Sequence, residues 1–186
     1  MSNEILERVA LLTQNGRAEV PAWTPRPAAT RFTDINDING MREAGRLAAE
    51  VLTMLAEYVV PGVTTEQLDI IAHNHIVTSQ GAIPAPLNYH GFPKSCCTSV
   101  NDVICHGIPG DRAFKDGDIA NIDVTVILDS WYGDTSRMFY VGAPSVKATR
   151  LTEITYECLM RGIAAAHKLL HELHCTYHER FNCPSG

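Results

Sequence analysis

The sequence has no run of eighteen apolar residues, which is about the length that a helix needs to cross a bilayer. It also lacks an excess of positive charge, because fifteen basic residues stand against twenty-one acidic ones, a formal net charge of -6. Nucleic acids and anionic membranes are bound chiefly through basic surfaces, so we expect neither as a partner. The N-terminus places acidic residues before a short apolar patch and lacks the layout of a secretory signal, so we expect a cytoplasmic protein.

The six cysteines include no C-x-x-C pair, so the spacing of a structural zinc site is missing. In a reducing compartment their default state is the free thiol, and we interpret most of them as small buried apolar side chains. The remaining composition is that of a globular protein, with 45% hydrophobic and 19% charged residues. A chain of 186 residues is long enough to bury one core.

Predicted helices come first, strands second and a further helix last, which indicates an α+β fold with an antiparallel sheet and covering helices. Residues 1–33 are interpreted as an N-terminal extension, either a linker or a loosely docked arm. No regular element fits its stretch PAWTPRPAAT, which contains three prolines. The first helix is expected to begin after Asp34 as N-cap. A second begins at the capping box formed by Thr64 and Gln67 and runs to about Gly81.

Two hairpins are predicted in the middle of the chain. The segments SCCTSV and VICHGI flank the turn-prone pair Asn101-Asp102, and the segments IANIDVTVIL and WYGDTSRMFYV flank Asp129-Ser130. If Asp129 and Ser130 form a two-residue loop, Asp123 lies opposite Ser136. The hairpin register then decides which side chains share a face of the sheet.

Asp123 interrupts an otherwise apolar strand, where a carboxylate is costly unless it is paired or holds a metal ion. In the two-residue register Asp134 lies opposite Thr125, so both carboxylates lie on one face within about 7–8 Å of each other. Converging carboxylates suit divalent cations. The other interpretation is that both aspartates are ordinary turn or edge residues, and the pattern alone gives the two similar weight.

His106 lies in the segment ICHGIPG, at the predicted end of a strand and beside a glycine that permits close approach of a ligand or of backbone. A neutral imidazole there could donate a hydrogen bond to a carbonyl or accept one from an amide. A histidine bonded to the loop backbone is the competing interpretation.

The motifs YHGFPKS, CHGIPG, NIDVTV and GDTSRMF occur together in this order, after the helix MREAGRLAAEVL. This combination resembles the bacterial type I methionine aminopeptidases over about residues 34–165. The resemblance implies the N-terminal half of a pita-bread fold, in which two similar halves enclose a dinuclear metal site. The motifs that carry the resemblance end near residue 165, so we expect the chain to be truncated after its first half and residues 166–186 to form a divergent tail.

The resemblance also implies roles for single residues. Asp123 and Asp134 match two metal ligands, and His106 matches the catalytic histidine that contacts the scissile amide. The implied reaction is removal of the initiator methionine from a nascent chain by a metal-bound hydroxide. The ions would be Co, Mn, Fe or Zn, normally two per site. The residues that match the pocket for the methionine side chain are Tyr89, Phe92 and Cys97, and Pro86 stands where the family often has a small thiol residue.

A second interpretation is a relative without activity, at most a weak metal- or peptide-binding module. The resemblance implies that further metal ligands, a histidine and two glutamates, come from the second half of the fold. The histidines of the tail (His167, His171, His174 and His178) recur at helical spacing, and we interpret them as accidental rather than as replacement ligands. Half of a layered domain leaves an apolar face uncovered, which predicts self-association through that face.

Overall fold

The computed structural model describes the backbone of residues 2–21 and 35–181 and the side chains of residues 3–21 and 35–169. The chain divides into two compact units between Pro144 and Ser145. The expected N-cap Asp34 and most of the proline-rich stretch lie outside the described residues.

Three helices precede the sheet in the first unit: α1 (Ser2–Thr13), α2 (Ile35–Leu55) and α3 (Thr65–Asn74). A π-helical turn, His75–Ser79, follows α3. The predicted capping box is confirmed, because Thr64 Oγ1 accepts from the Gln67 amide at 3.1 Å and Gln67 Oε1 accepts from the Thr64 amide at 3.0 Å. These bonds satisfy two amide donors at the start of α3 that the helix itself leaves unpaired.

The sheet contains β1 (Ile83–Pro84), β2 (Cys97–Val100), β3 (Ile119–Leu128) and β4 (Trp131–Tyr140). The strand β3 is central, with β4 along one edge and both β1 and β2 along the other, and every pairing is antiparallel. The predicted antiparallel sheet with covering helices is therefore confirmed.

The hydrophobic core lies between α2 and one face of the sheet. Alternate residues of β3 are buried there, and α2 packs across β3 and β4. Two glycines permit the close approach of these elements. A Cβ at Gly133 would lie 2.0 Å from the carbonyl oxygen of Ala44, and one at Gly40 would lie 2.3 Å from the indole nitrogen of Trp131. The core-facing residues of β3 that are fully buried are Ala120, Ile122, Val124 and Val126.

The predicted hairpin at Asn101-Asp102 is wrong. The strand β2 ends at Val100, residues 103–110 form no strand, and β2 pairs with β3 instead. Asn101 has a φ of 56°, and its side chain donates to Asp118 at 2.8 Å and accepts from the Ile119 amide at 3.0 Å. The turn is therefore bonded to the start of β3, a partner that is distant in sequence and that local patterns do not specify.

Part of the predicted N-terminal extension, before the proline-rich stretch, is helical. Residues Ser2–Thr13 form α1, and Val9 is fully buried in the core. The prolines that suggested an extended arm begin only at Pro21, so they leave the preceding residues free to form a helix.

Up to residue 181, the last that the structure describes, the second unit forms one helix, α4 (Val146–Phe181). The Ser145 hydroxyl accepts from the Ala148 amide at 3.2 Å, which caps the first turn. The helix continues through the predicted tail boundary at residue 166 without a break. Among the described helices, none is both long and apolar enough to cross a membrane.

Candidate metal and substrate site

The β3–β4 hairpin has the register that the sequence predicts. Asp123 pairs with Ser136, and Thr125 pairs with Asp134. The two loop residues, Asp129 and Ser130, have φ angles of 49° and 72°, the left-handed conformation that a two-residue hairpin turn of type I′ requires. Both carboxylates consequently lie on the sheet face that is turned away from the core.

The Asp134 carboxylate affects the pKa of Asp123. Burial, followed by the charge of Asp134, raises the pKa of Asp123 above its usual value, and His106 opposes this rise. The hydroxyl of Thr125 donates to Asp134 Oδ1 at 3.1 Å, which helps to orient that carboxylate. Two adjacent negative charges repel each other, so a cation bound between them would relieve the repulsion. The donor set therefore fits a divalent cation.

Cys97 lies on β2 directly opposite Asp123 and is only 7% exposed. Burial, and after it the Asp123 carboxylate, raises the pKa of Cys97 to about 11. In the metal-free protein the side chain is consequently a neutral thiol at physiological pH and lines the pocket as a soft apolar group.

His106 lies at the edge of the site because the loop after β2 folds back onto that strand. The Thr98 amide donates to the carbonyl of Gly107 at 2.8 Å, and the Gly107 amide donates to Ser99 Oγ at 3.1 Å. A Cβ at Gly107 would lie 2.1 Å from the Thr98 carbonyl oxygen, so only glycine permits this contact. The predicted close approach of backbone is confirmed, whereas the predicted strand before His106 is wrong.

A pocket of about 1050 Å³ opens on this face of the sheet. Its rim is formed by the loop around Tyr89, in which Asn88 and His90 have φ angles of 66° and 47°. Non-glycine residues in this conformation are uncommon and often lie at functional sites. The Tyr89 ring is 68% exposed and meets the His90 ring edge to face at 4.4 Å. All six site residues predicted from the sequence line this one pocket: Tyr89, Phe92, Cys97, His106, Asp123 and Asp134.

The small number of potential ligands limits how tightly the pocket could hold a metal ion. Among residues 3–21 and 35–169, no group of three or more histidine, cysteine, aspartate and glutamate side chains could hold a metal ion. Two carboxylates leave most of the coordination sphere of a divalent ion to water, so these residues would hold such an ion weakly.

Comparison with known proteins assigns the chain to a family. The model of metallopeptidase family M24 matches residues 39–180, more than half of the chain. The chain belongs to this family. It is similar to the methionine aminopeptidase of Rickettsia prowazekii, with 61% identity over 127 residues that cover 68% of this chain and 49% of that protein. The corresponding enzyme of Escherichia coli K12 is 59% identical over 124 residues, which cover 66% of this chain and 47% of the enzyme.

Solved structures agree with this assignment. The crystal structure of the Rickettsia prowazekii methionine aminopeptidase matches with a TM-score of 0.70 and 58% identity, over 72% of this chain and 53% of that one. The Thermotoga maritima methionine aminopeptidase matches with a TM-score of 0.67 and 30% identity, over 70% and 53% of the two chains. This M24 chain therefore has part of the pita-bread fold. It spans about half the length of the curated relatives that it matches.

Several residues that line the pocket of this M24 chain are not among the site residues predicted from the sequence. Tyr132 and Ile127 line the pocket beside the two aspartates. Tyr132 precedes Asp134 by two residues and Ile127 follows Asp123 by four, so the alternation of side chains along each strand places them on the same face. The hairpin register predicted from the sequence therefore also places Tyr132 and Ile127 on the face of the two aspartates. The loop residues His90 and Ile108, which also line the pocket, have no comparable periodic signal.

Proposed function

We propose that this chain carries the metal- and methionine-binding part of a methionine aminopeptidase, the enzyme that removes the initiator methionine from nascent proteins. The observation that supports the proposal is the shared pocket, in which Asp123, Asp134 and His106 lie beside apolar and aromatic side chains. The similarity to methionine aminopeptidases at 59–61% identity also supports it. A role on nascent chains would place the protein in the cytosol.

In this proposal Asp123 and Asp134 hold divalent ions, either Co, Mn, Fe or Zn, of which a complete site takes two. A bound ion supplies Lewis acidity and lowers the pKa of water, which makes water a nucleophile near neutral pH. His106, at the rim, contacts the scissile amide of the peptide and orients it through a hydrogen bond. Apolar contact with the methionine side chain comes from Tyr89, Phe92 and Cys97.

The small donor set favours a second candidate, a module that binds metal and peptide with little or no turnover. Catalysis by a metal ion needs an ion held in a defined position with supporting contacts around its ligands. Two carboxylates on one hairpin position an ion loosely, and misplacement by about 1 Å costs on the order of 100-fold in rate. We therefore expect binding to survive in this chain better than catalysis.

Peptide binding and turnover distinguish these candidates. We expect a Met-Ala-Ser peptide to bind more tightly in the presence of Mn²⁺, and to be hydrolysed very slowly or not at all. The variant Asp134→Asn should lose the effect of Mn²⁺ on binding, whereas Asp102→Asn, at an exposed loop aspartate, should keep it.

Two results would change the proposal. Turnover comparable to that of a full-length relative, abolished by His106→Ala, would show that the chain is a complete enzyme and would exclude the module without turnover. Absence of Mn²⁺-dependent peptide binding in the wild-type chain would overturn the proposed function.

A further inference from the structure

Each residue of a short N-terminal segment, Gly16 to Ala18, forms hydrogen bonds with side chains of α3. We call these three residues the strap. The Asn74 side chain donates to the carbonyl of Gly16 at 2.9 Å and accepts from the amide of Ala18 at 2.7 Å. His73 Nε2 lies 2.8 Å from the carbonyl oxygen of Ala18, which makes the ring the donor at that nitrogen. The strap precedes the part of the chain that the M24 family model matches.

Arg17, in the middle of the strap, reaches a carboxylate that is completely buried. Its Nε and Nη2 atoms donate to Asp69 Oδ2 at 3.1 and 2.5 Å, and Nη2 also lies 3.1 Å from Glu66 Oε1. The Asp69 side chain is 0% exposed. In the part of the chain with described side chains, Arg17 is the only cation within ion-pair distance of Asp69. A buried charge without a partner is strongly destabilising, so Arg17 neutralises an otherwise costly group.

The other oxygen of Asp69 holds the backbone that leads into β2. Asp69 Oδ1 accepts from the amide of Ser95 at 2.8 Å and from the amide of Cys96 at 3.0 Å. The next residue, Cys97, begins β2 and pairs with Asp123. One carboxylate therefore joins the strap on one side to the wall of the candidate metal pocket on the other.

We propose that Arg17 is a positioning residue for the candidate metal pocket. The guanidinium fixes Asp69, Asp69 fixes the amides of Ser95 and Cys96, and these amides hold β2 against Asp123. This inference rests on the proposed metal site for one of its two readouts. The N-terminal segment is thus a functional element of the molecule, since it supports the pocket without touching it.

The first readout is alkylation of Cys96, which is fully buried and bonded to Asp69 through its amide. In Arg17→Gln we expect the rate of Cys96 alkylation by iodoacetamide under native conditions to rise about tenfold, because local opening of this backbone exposes the thiol. The second readout is Mn²⁺ affinity, which should fall about tenfold, the size of effect seen when groups that support metal ligands are removed. Alkylation is followed by peptide mass spectrometry, and affinity by calorimetry.

A matched control lies on the neighbouring helix. Arg8 forms an ion pair with Glu57 at 2.8 Å, and both side chains are more than half exposed. Arg8→Gln removes one arginine and one ion pair from the same part of the chain, and should leave both readouts within about twofold of wild type. Arg17→Lys keeps the positive charge but forms a less well-oriented ion pair with Asp69. Its alkylation rate and Mn²⁺ affinity should lie between those of wild type and Arg17→Gln. This variant decides the test if Arg17→Gln fails to fold.

The double variant Arg17→Gln/Asp69→Asn separates positioning from simple loss of packing. The introduced amide side chain would still accept from the two backbone amides but would carry no charge, so we expect both readouts to return to within about threefold of wild type. Unchanged Cys96 protection in Arg17→Gln would overturn the inference, as would a loss of protection that the double variant does not reverse. If the wild-type chain binds no Mn²⁺, the proposed metal site fails, and the alkylation readout still decides the role of Arg17.

Discussion

The ionised carboxylate of Asp123 destabilises the metal-free folded state, because it is half-buried and lies beside a second carboxylate. Its raised pKa means that the folded state binds this proton more tightly than the unfolded state does. The stabilising contribution of the group is therefore complete at low pH and is lost as the pH rises above about 3.8, the ordinary value. Such a cost is typical of a residue retained for binding rather than for stability.

Replacement of Asp123 by asparagine should stabilise the metal-free protein at neutral pH. The amide removes the repulsion with Asp134, so the urea midpoint of unfolding at pH 7 should exceed that of wild type. The difference should shrink as the pH is lowered and the wild-type carboxyl takes up its proton. Asp102→Asn provides the control, because Asp102 is exposed. An Asp123→Asn midpoint that is lower than wild type at pH 7 would contradict this electrostatic account.

The cysteines near the site should differ widely in reactivity. Burial raises the pKa of Cys96 well above its usual value and, with Asp123, raises the pKa of Cys97 to about 11, whereas Cys105 is exposed. At pH 8 a thiol with a pKa near 11 is only about 0.1% thiolate, so alkylation of Cys97 should be slow. Time-resolved iodoacetamide labelling should modify Cys105 before Cys96 and Cys97. Labelling of Cys97 before Cys105 would show that the pocket wall is open.

At the scale of elements, the β3–β4 hairpin and α2 hold the site in place. The close contact of α2 with β4 depends on Gly133, where a Cβ would lie 2.0 Å from the backbone of Ala44. The helix thus packs on one face of the strand while Asp134, the next residue, lies on the other face. Displacement of α2 should therefore disturb the position of a candidate metal ligand.

Gly133→Ala should destabilise the protein by about 2 kcal/mol or more, because the clash is with backbone that cannot rotate away. Gly45, the residue that follows Ala44 in α2, has nothing within 4 Å of its own Cβ position. Gly45→Ala should therefore stabilise by about 0.5–1 kcal/mol through helix propensity. Urea unfolding of both variants tests the packing, and equal effects of the two substitutions would show that α2 does not approach β4 as described.

The same elements show why parts of this fold can be predicted from sequence. The register of the β3–β4 hairpin and the capping box at Thr64 depend on residues that are neighbours in the chain, and both predictions are confirmed. The position of β2 beside β3 depends on bonds from Asn101 to residues seventeen and eighteen positions away, which no local pattern contains. The pocket residues that are scattered over the loops, such as Tyr89, are predicted only through the resemblance to a family.

At the scale of the whole molecule, β4 is an edge strand of the described sheet. Among the described strands, β4 pairs only with β3, so one edge of its ten residues has no partner strand. Unpaired edges and uncovered faces promote association, and self-association remains a prediction for this chain. Sedimentation velocity over a hundredfold range of concentration should show a rising average mass, whereas a constant monomer mass would contradict the prediction.

Mn²⁺ binding tests most directly whether Asp123 and Asp134 together form a divalent metal site. Titration calorimetry, with electron paramagnetic resonance to count bound ions, should detect weak binding to the wild-type chain. Asp134→Ala should abolish it, and the exposed-site variant Asp102→Asn should not change it. Equal Mn²⁺ uptake by the wild-type chain and Asp134→Ala would contradict the proposed site, and would point to the histidines of the C-terminal segment as the ligands instead.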